Sequence, residues 1–128
     1  MSRMSALGRL WGSGSAKHGV EHWWAQRVTA IALVVLSVWL VASLLSMAPF
    51  SYATLRQWMS HGWNVVPLVA LILCIAEHSY LGVRVIVEDY VQEADRRIAM
   101  LMVLRFAHMF IAAAGIYGVF AVAFGSSA

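Results

Sequence analysis

A run without a single charge, Val28 to Met47, is the feature that most limits what this chain can fold into. At about 1.5 Å per helical residue, a segment of this length crosses the roughly 30 Å hydrocarbon core of a bilayer. Trp23, Trp24 and Arg27 precede it, as aromatic and cationic side chains do where a helix enters a membrane. This run is therefore predicted to be a transmembrane helix.

Two further apolar segments follow, and the composition leaves no room for a separate soluble domain. The chain is 62% hydrophobic and 12% charged, whereas soluble domains carry about a quarter charged residues. We expect an all-α membrane protein with three transmembrane helices. The predicted organisation is a cytoplasmic segment (1–23), a first span (24–47), a periplasmic loop (48–64), a second span (65–87), a cytoplasmic turn (88–97), a third span (98–124) and a tail (125–128).

Several function classes are excluded by what the chain lacks. It has one cysteine, Cys74, so it forms no internal disulfide, and its net charge of +3 gives no reason to expect nucleic acid. It holds no Ser/His/Asp set, CxxC pair or phosphate-binding loop, so no catalytic residues are assigned and the chain is not an enzyme alone. An acid-poor start also occurs in mitochondrial transit peptides, but a chain beginning at Met1 favours a bacterial inner-membrane protein.

His78 is the most informative ionisable residue, because such residues inside a span are costly and are functional candidates by default. It lies near the middle of the second span, and Gly82 follows one turn later on the same face. A glycine there leaves flat space beside the imidazole, which suits a haem whose iron the histidine ligates. The alternative is a structural histidine, with Gly82 allowing close helix packing. A six-coordinate bis-histidine haem would take its second ligand from another subunit.

Asp89 and Tyr90 stand at the wet end of the same helix, with Tyr90 about 18 Å from His78 along the axis. A phenol at the membrane surface can donate a hydrogen bond to a carbonyl of a lipid-soluble quinone, with the carboxylate beside it. The alternative is that Tyr90 belongs to the interfacial aromatic belt and Asp89 only ends the helix.

Three other polar residues inside the spans are expected to be structural. Glu77 and Arg84 share a helix face about 10 Å apart, at the limit of a direct ion pair; otherwise Glu77 is neutral or pairs with another subunit. His108 in the third span is interpreted as a hydrogen-bonded packing residue.

These residues fall into a spaced pattern that resembles the hydrophobic membrane anchor subunits of succinate dehydrogenase. The middle span of that family carries His-x3-Gly-x6-Asp-Tyr-Val, which is His78, Gly82, Asp89, Tyr90 and Val91 here. Other similar positions are Ser5 to Arg9, then Arg27, Thr29, Ala30 and Ile31 at the first span, and more weakly Ile116, Tyr117 and Gly118.

The resemblance implies half of a heterodimeric haem-binding helical bundle within a four-subunit complex. Its partners would be a larger cytochrome b subunit, an iron–sulfur subunit and a flavoprotein that oxidises succinate. It implies that His78 is an axial ligand of haem b beside Gly82, and that Tyr90 binds the quinone with support from Asp89. Arg27 would serve either a haem propionate or the quinone site. The partner membrane chain would supply the second haem histidine.

Three alternatives stay open at this point. Gly82-Val83-Arg84 resembles the larger cytochrome b subunit, but the Ser-x2-His-Arg signature of that chain is absent and Asp89-Tyr90-Val91 favours the anchor subunit. A fumarate reductase anchor would use menaquinol, and the sequence does not distinguish menaquinone from ubiquinone. A haem-free three-span assembly protein would lack the flavoprotein and iron–sulfur partners.

The distribution of cations predicts the orientation in the membrane. Lysine and arginine residues concentrate near the start of the first span and around the turn 88–97. The loop 48–64 has only Arg56, and the tail has none. By the positive-inside rule, the N-terminus and residues 88–97 face the cytoplasm. Ser127→Cys should therefore react with a membrane-impermeant thiol reagent on whole cells, and Ser15→Cys should not. The opposite labelling pattern would reverse the topology.

Overall fold

The computed structural model describes residues 14–125, with side chains from residue 19 onward. Residues 1–13 and 126–128 lie outside the described range, and so do the Ser5–Arg9 match and most of the predicted tail. Over the described residues the secondary structure is entirely α-helical. The helices are α1 (Gly14–Leu45), α2 (Tyr52–Ser60), α3 (Gly62–Tyr90) and α4 (Ala94–Phe124).

Three of these helices are long and apolar enough to cross a membrane. The qualifying segments are Gly19–Leu45, Gly62–Tyr90 and Ala94–Phe124. Many of their large apolar side chains are exposed in the isolated chain, including Ile31, Val34 and Phe110, as expected where lipid or another subunit replaces water. The prediction of an all-α protein with three membrane-spanning helices is confirmed.

The helices extend beyond the predicted spans where α3 leads into α4. Only Val91 to Glu93 are non-helical there, because charged side chains within the segment 88–97 support helix ends. Arg84 Nε donates to Glu88 Oε1 at 2.7 Å, one turn apart, which stabilises the last turns of α3. Asp95 lies in the first turn of α4, where a negative charge interacts favourably with the helix dipole.

The loop between the first two spans contains α2, a short helix with a defined start. Ser51 caps it: the Ser51 hydroxyl accepts from the Thr54 backbone N–H, and the Thr54 hydroxyl accepts from the Ser51 N–H. The Ala48–Pro49 peptide bond just before it is cis. The α3 helix then begins at Gly62, so Pro67 is its sixth residue and lies in the second turn.

Helix α3 is the centre of the bundle and runs antiparallel to both of its long neighbours. It contacts α1 on one side and α4 on the other. On the first side Thr29 faces His78, and Gln26 faces Gly82. On the second side Ile72 contacts Gly115. The start of α1 and the connection 91–93 therefore share one end of the bundle, and which membrane side this end faces stays a prediction.

The apolar core lies at the opposite end, where α2 closes the bundle. Met59 of α2 packs with Val65 of α3 and with Val119 and Ala123 of α4. Arg56 of α2 donates to the Gly125 carbonyl at the end of α4. The polar side chains of α3 discussed below lie away from this core, toward the middle and the far end of the helix.

Candidate functional site

His78 lies half-buried on the α1 side of α3, and a threonine holds one of its ring nitrogens. The His78 Nδ1 and Thr29 Oγ1 atoms are 3.0 Å apart. Thr29 Oγ1 is also 2.8 Å from the Ala25 carbonyl one turn earlier in α1, and a serine or threonine hydroxyl often donates to that position in a helix. The Nε2 atom of His78 has no hydrogen bond to any described residue.

The surface next to His78 is open and polar. A Cβ added at Gly82 would reach ordinary van der Waals contact with Gln26 Nε2, at 4.0 Å, and would meet no other described residue within 4 Å. Gln26 Oε1 and His22 Nε2 are buried yet have no hydrogen-bond partner among the described residues. Orphaned buried polar atoms of this kind are uncommon in a native protein and mark hydrogen-bonding capacity that the described residues do not use.

The α1 residues of this seam share one helix face. His22, Gln26 and Thr29 are spaced i, i+4 and i+7, which places them in a line along α1. Together with His78 and Gly82 they form what we name the α1–α3 seam. The sequence prediction assigned His78 and Gly82 but gave no role to Thr29, Gln26 or the buried nitrogen of His22. Their heptad spacing was visible in the sequence, whereas their partners on α3 were not.

Asp89 and Tyr90 occupy the end of α3, both exposed, with Tyr90 retaining 83% of its accessible surface. Tyr90 borders a surface groove of about 350 Å³ whose other walls include Arg96 and Met100 of α4. Arg96 is paired there with Glu93 at 2.9 Å. Asp89 falls on nearly the same face of α3 as His78, eleven residues on, because eleven residues make about three turns.

Arg27 lies close to the level of His78 but not on the α1–α3 seam. Its guanidinium carbon is 5.1 Å from the centroid of the Trp23 ring, in a cation–π contact one turn earlier in α1. It precedes Thr29 by two positions, so its side chain leaves the helix on nearly the opposite side. The two residues are about 3 Å apart along the axis, which puts Arg27 nearer in depth to His78 than to Tyr90.

A second polar group links α3 to α4. Arg105 Nη1 donates to Glu77 Oε2 at 2.7 Å, and the Arg105 guanidinium carbon lies 4.7 Å from the centroid of the Tyr80 ring. The sequence left the partner of Glu77 open between Arg84, another subunit and none; the structure pairs Glu77 with Arg105 of α4, and Arg84 with Glu88 one turn away. An i, i+4 spacing is a shorter reach than the seven residues that separate Glu77 from Arg84.

His108 belongs to this second group, and both of its ring nitrogens are engaged. Nδ1 lies 2.8 Å from the Leu104 carbonyl and Nε2 lies 3.2 Å from the Ser79 hydroxyl. A carbonyl only accepts, so Nδ1 carries the proton and Nε2 accepts from Ser79. This supports the interpretation of His108 as a hydrogen-bonded packing residue and leaves it no free nitrogen, in contrast to His78.

Three apolar helices with polar groups on both sides of the middle one define a multi-pass membrane protein with an intramembrane polar site. Residues 1–122 match the family described as "Succinate dehydrogenase/Fumarate reductase transmembrane subunit". The chain belongs to this family, and the resemblance identified from the His78–Val91 motif is confirmed.

Individual relatives carry one description, "Succinate dehydrogenase hydrophobic membrane anchor subunit". The chain is 35% identical to the Rickettsia conorii protein over 73% of this chain and 75% of that one. It is 31% identical to the Rickettsia bellii protein over 84% and 86% of the two chains. The Paracoccus denitrificans protein is 28% identical, with 80% of each chain covered. No solved structure gives a significant match.

The Glu77–Arg105 pair should stabilise the α3–α4 packing through charge compensation. Both side chains are in helices that cross the membrane, where an unpaired charge is expensive. Arg105→Met should lower the free energy of unfolding by about 3 kcal/mol, because it leaves the Glu77 carboxylate alone. Glu77→Gln with Arg105→Met should recover most of the loss, as measured by thermal unfolding of the detergent-solubilised complex. A double variant as unstable as the single one would show that charge pairing is not the reason.

Proposed function

We propose that this chain is the membrane anchor subunit of a succinate:quinone oxidoreductase, in which it holds haem b jointly with a partner and helps form the quinone-reduction site. The observation that carries the proposal is the state of His78: an intramembrane histidine whose Nδ1 is hydrogen-bonded, whose Nε2 has no partner among the described residues, and which lies one turn from a glycine. Family membership supports the anchor role, and the geometry of the α1–α3 seam supports the haem.

The residues of the α1–α3 seam fit a haem. A histidine that ligates a metal usually donates its other ring N–H to a neighbouring group, which is the arrangement His78 makes with Thr29. Gly82 presents no side chain on that face, so a flat macrocycle can approach the helix. When bound, haem b supplies one-electron redox chemistry in the membrane. His78 serves as one axial ligand, and a histidine of the larger cytochrome b subunit serves as the other.

The carboxylates of a haem need cationic or hydrogen-bonding partners when they lie inside a protein. Arg27 is assigned to a propionate or to the quinone site: its depth is within about 3 Å of Thr29, but its side chain leaves α1 on nearly the opposite side from the α1–α3 seam. The buried Nε2 of His22 and the amide of Gln26 lie nearer the start of α1, toward the end of the bundle that carries the connection 91–93. These groups offer hydrogen bonds that the described part of this chain leaves unused.

Quinone binding is assigned to Tyr90, with Asp89 in support. The tyrosine is exposed at the end of α3 and borders a groove that a quinone headgroup could enter. Its hydroxyl donates a hydrogen bond to a quinone carbonyl and stabilises the negative charge that develops on the oxygen during reduction. The exposed Asp89 carboxylate beside it orients the phenol or helps to deliver protons to the quinone.

The remaining partners follow from the proposed role. A flavoprotein oxidises succinate, and an iron–sulfur subunit passes the electrons to the membrane. The iron–sulfur subunit docks at the end of the bundle that carries Tyr90, because positive-inside orientation makes that end cytoplasmic. The complex resides in a bacterial inner membrane, with the N-terminus of this chain in the cytoplasm.

Replacing His78 tests the haem assignment. His78→Leu in the assembled complex should abolish the low-spin bis-histidine signature or lower the haem content, because one axial ligand is lost. The measurements are the reduced-minus-oxidised visible spectrum, the EPR spectrum and the ratio of haem to flavin. His108→Leu is the matched control, since it removes another intramembrane histidine and should leave the haem spectrum intact. An unaltered spectrum in His78→Leu would assign the ligand elsewhere.

Replacing the Tyr90 hydroxyl tests the quinone assignment. Tyr90→Phe keeps the ring but removes the hydrogen bond, whose loss of about 1–3 kcal/mol should slow quinone reduction by roughly 5- to 150-fold. Electron transfer from succinate to a water-soluble dye that accepts before the quinone site should persist. The quantity to measure is the ratio of the two rates in the purified complex.

A control tyrosine is available at the opposite end of the bundle. Tyr52, at the start of α2, is exposed like Tyr90, and Tyr52→Phe should leave the ratio unchanged. If Tyr90→Phe also leaves both the ratio and the quinone affinity at wild-type values, Tyr90 is only an interfacial aromatic residue.

A further inference from the structure

Thr29 makes three close polar contacts through a single hydroxyl group. Its Oγ1 lies 2.8 Å from the Ala25 carbonyl, 3.2 Å from the Gln26 carbonyl and 3.0 Å from His78 Nδ1. The hydroxyl has one proton and two lone pairs. Both carbonyls can only accept, so the proton goes to α1, most directly to Ala25, and a lone pair of the oxygen remains for the histidine.

This assignment determines the protonation of the histidine. If the Thr29 oxygen accepts, His78 Nδ1 must carry the proton, and the lone pair of the neutral ring is then on Nε2. The reverse arrangement, in which Thr29 donates to Nδ1, would put the ring proton on Nε2 and block ligation there. The backbone carbonyl of Ala25 therefore selects the tautomer of a histidine on another helix, through the Thr29 hydroxyl.

We propose that Thr29 is a positioning residue for His78: its oxygen accepts the Nδ1 proton, fixes the ring orientation and keeps Nε2 available for iron. The proposal rests on the haem ligation proposed above for His78. The chain of bonds runs from His78 Nδ1–H to Thr29 Oγ1 and from the Thr29 hydroxyl to the Ala25 carbonyl. Because each bond polarises the next, the imidazole becomes a stronger electron donor than an isolated one.

The side chain of threonine suits this role. A β-branched residue has restricted χ1 angles in a helix, and threonine adopts those that let its hydroxyl bond a carbonyl one turn earlier. The conformation of α1 therefore sets the direction of the lone pair with which Thr29 Oγ1 accepts from His78. Since the two residues belong to different helices, the α1–α3 packing and the orientation of the ligand are coupled.

The test compares Thr29→Val and Thr29→Ser in the intact complex. Valine has the shape of threonine without the hydroxyl, whereas serine keeps the hydroxyl without the methyl group. Thr29→Val should lower haem affinity about 10- to 100-fold, as loss of an outer-sphere partner typically does. It should also raise the haem midpoint potential, because a weaker donor stabilises ferric iron less. A threefold to tenfold change in the ferric-to-ferrous preference corresponds to about 30–60 mV.

Thr29→Ser should keep both the haem content and the potential near the wild-type values. Ser37→Ala, which removes an exposed hydroxyl from α1 two turns away, is the matched control and should change neither. A role in packing alone would give the reverse order, with valine tolerated and serine impaired. That order, or a wild-type potential and haem content in Thr29→Val, would overturn the proposal.

His78→Leu in the same assay separates this proposal from the one on which it rests. If His78→Leu loses the haem signature but Thr29→Val does not differ from wild type, the ligand assignment stands and the role of Thr29 fails. If His78→Leu keeps the haem signature, both fail together. Should Thr29→Val not assemble, Thr29→Ala also removes the hydroxyl and gives the comparison with a smaller side chain.

Discussion

The absence of water in a bilayer is the constraint on which the arrangement of α3 depends. A polar side chain in the middle of a span must find its partner within the protein, because hydrocarbon offers none. Helix α3 places its polar groups between two neighbours. Thr29 of α1 contacts His78. Arg105 of α4 pairs with Glu77, the residue that directly precedes His78. Adjacent residues of one helix point about 100° apart, so Glu77 and His78 can reach different neighbouring helices.

The two sides of α3 therefore differ in how completely their polar groups are hydrogen-bonded. On the α4 side the polar groups satisfy one another: Glu77 pairs with Arg105, and both ring nitrogens of His108 are bonded. On the α1 side the hydrogen-bonding capacity is incomplete, since Gln26 Oε1 and His22 Nε2 are buried without partners among the described residues. The satisfied side gives rigidity to the bundle, and the α1 side keeps hydrogen-bonding capacity that the described residues do not use.

The parts of the site that lie on one helix could be predicted from the sequence, because helix geometry alone relates them. His78, Gly82 and Asp89 share a face at any packing of the bundle, and three apolar segments were enough to predict the fold. The pairings between helices could not be predicted, since they depend on how far one helix is displaced along another. This is why Thr29 was given no role and why Arg84, seven residues away on the same helix, was considered for Glu77 when Arg105 on α4 is its partner.

The shape of the imidazole ring carries the argument one step further. Its two nitrogens lie on different edges of the ring, so a metal bound to Nε2 lies away from the group bonded to Nδ1. With Nδ1 of His78 directed at Thr29, a haem ligated as proposed lies on the side of His78 away from the Thr29 hydroxyl. On α3 the α4-facing direction is already taken by Glu77, Tyr80 and their partners. Under the proposed ligation, the partner chain that supplies the second ligand would approach His78 where neither α1 nor α4 covers α3.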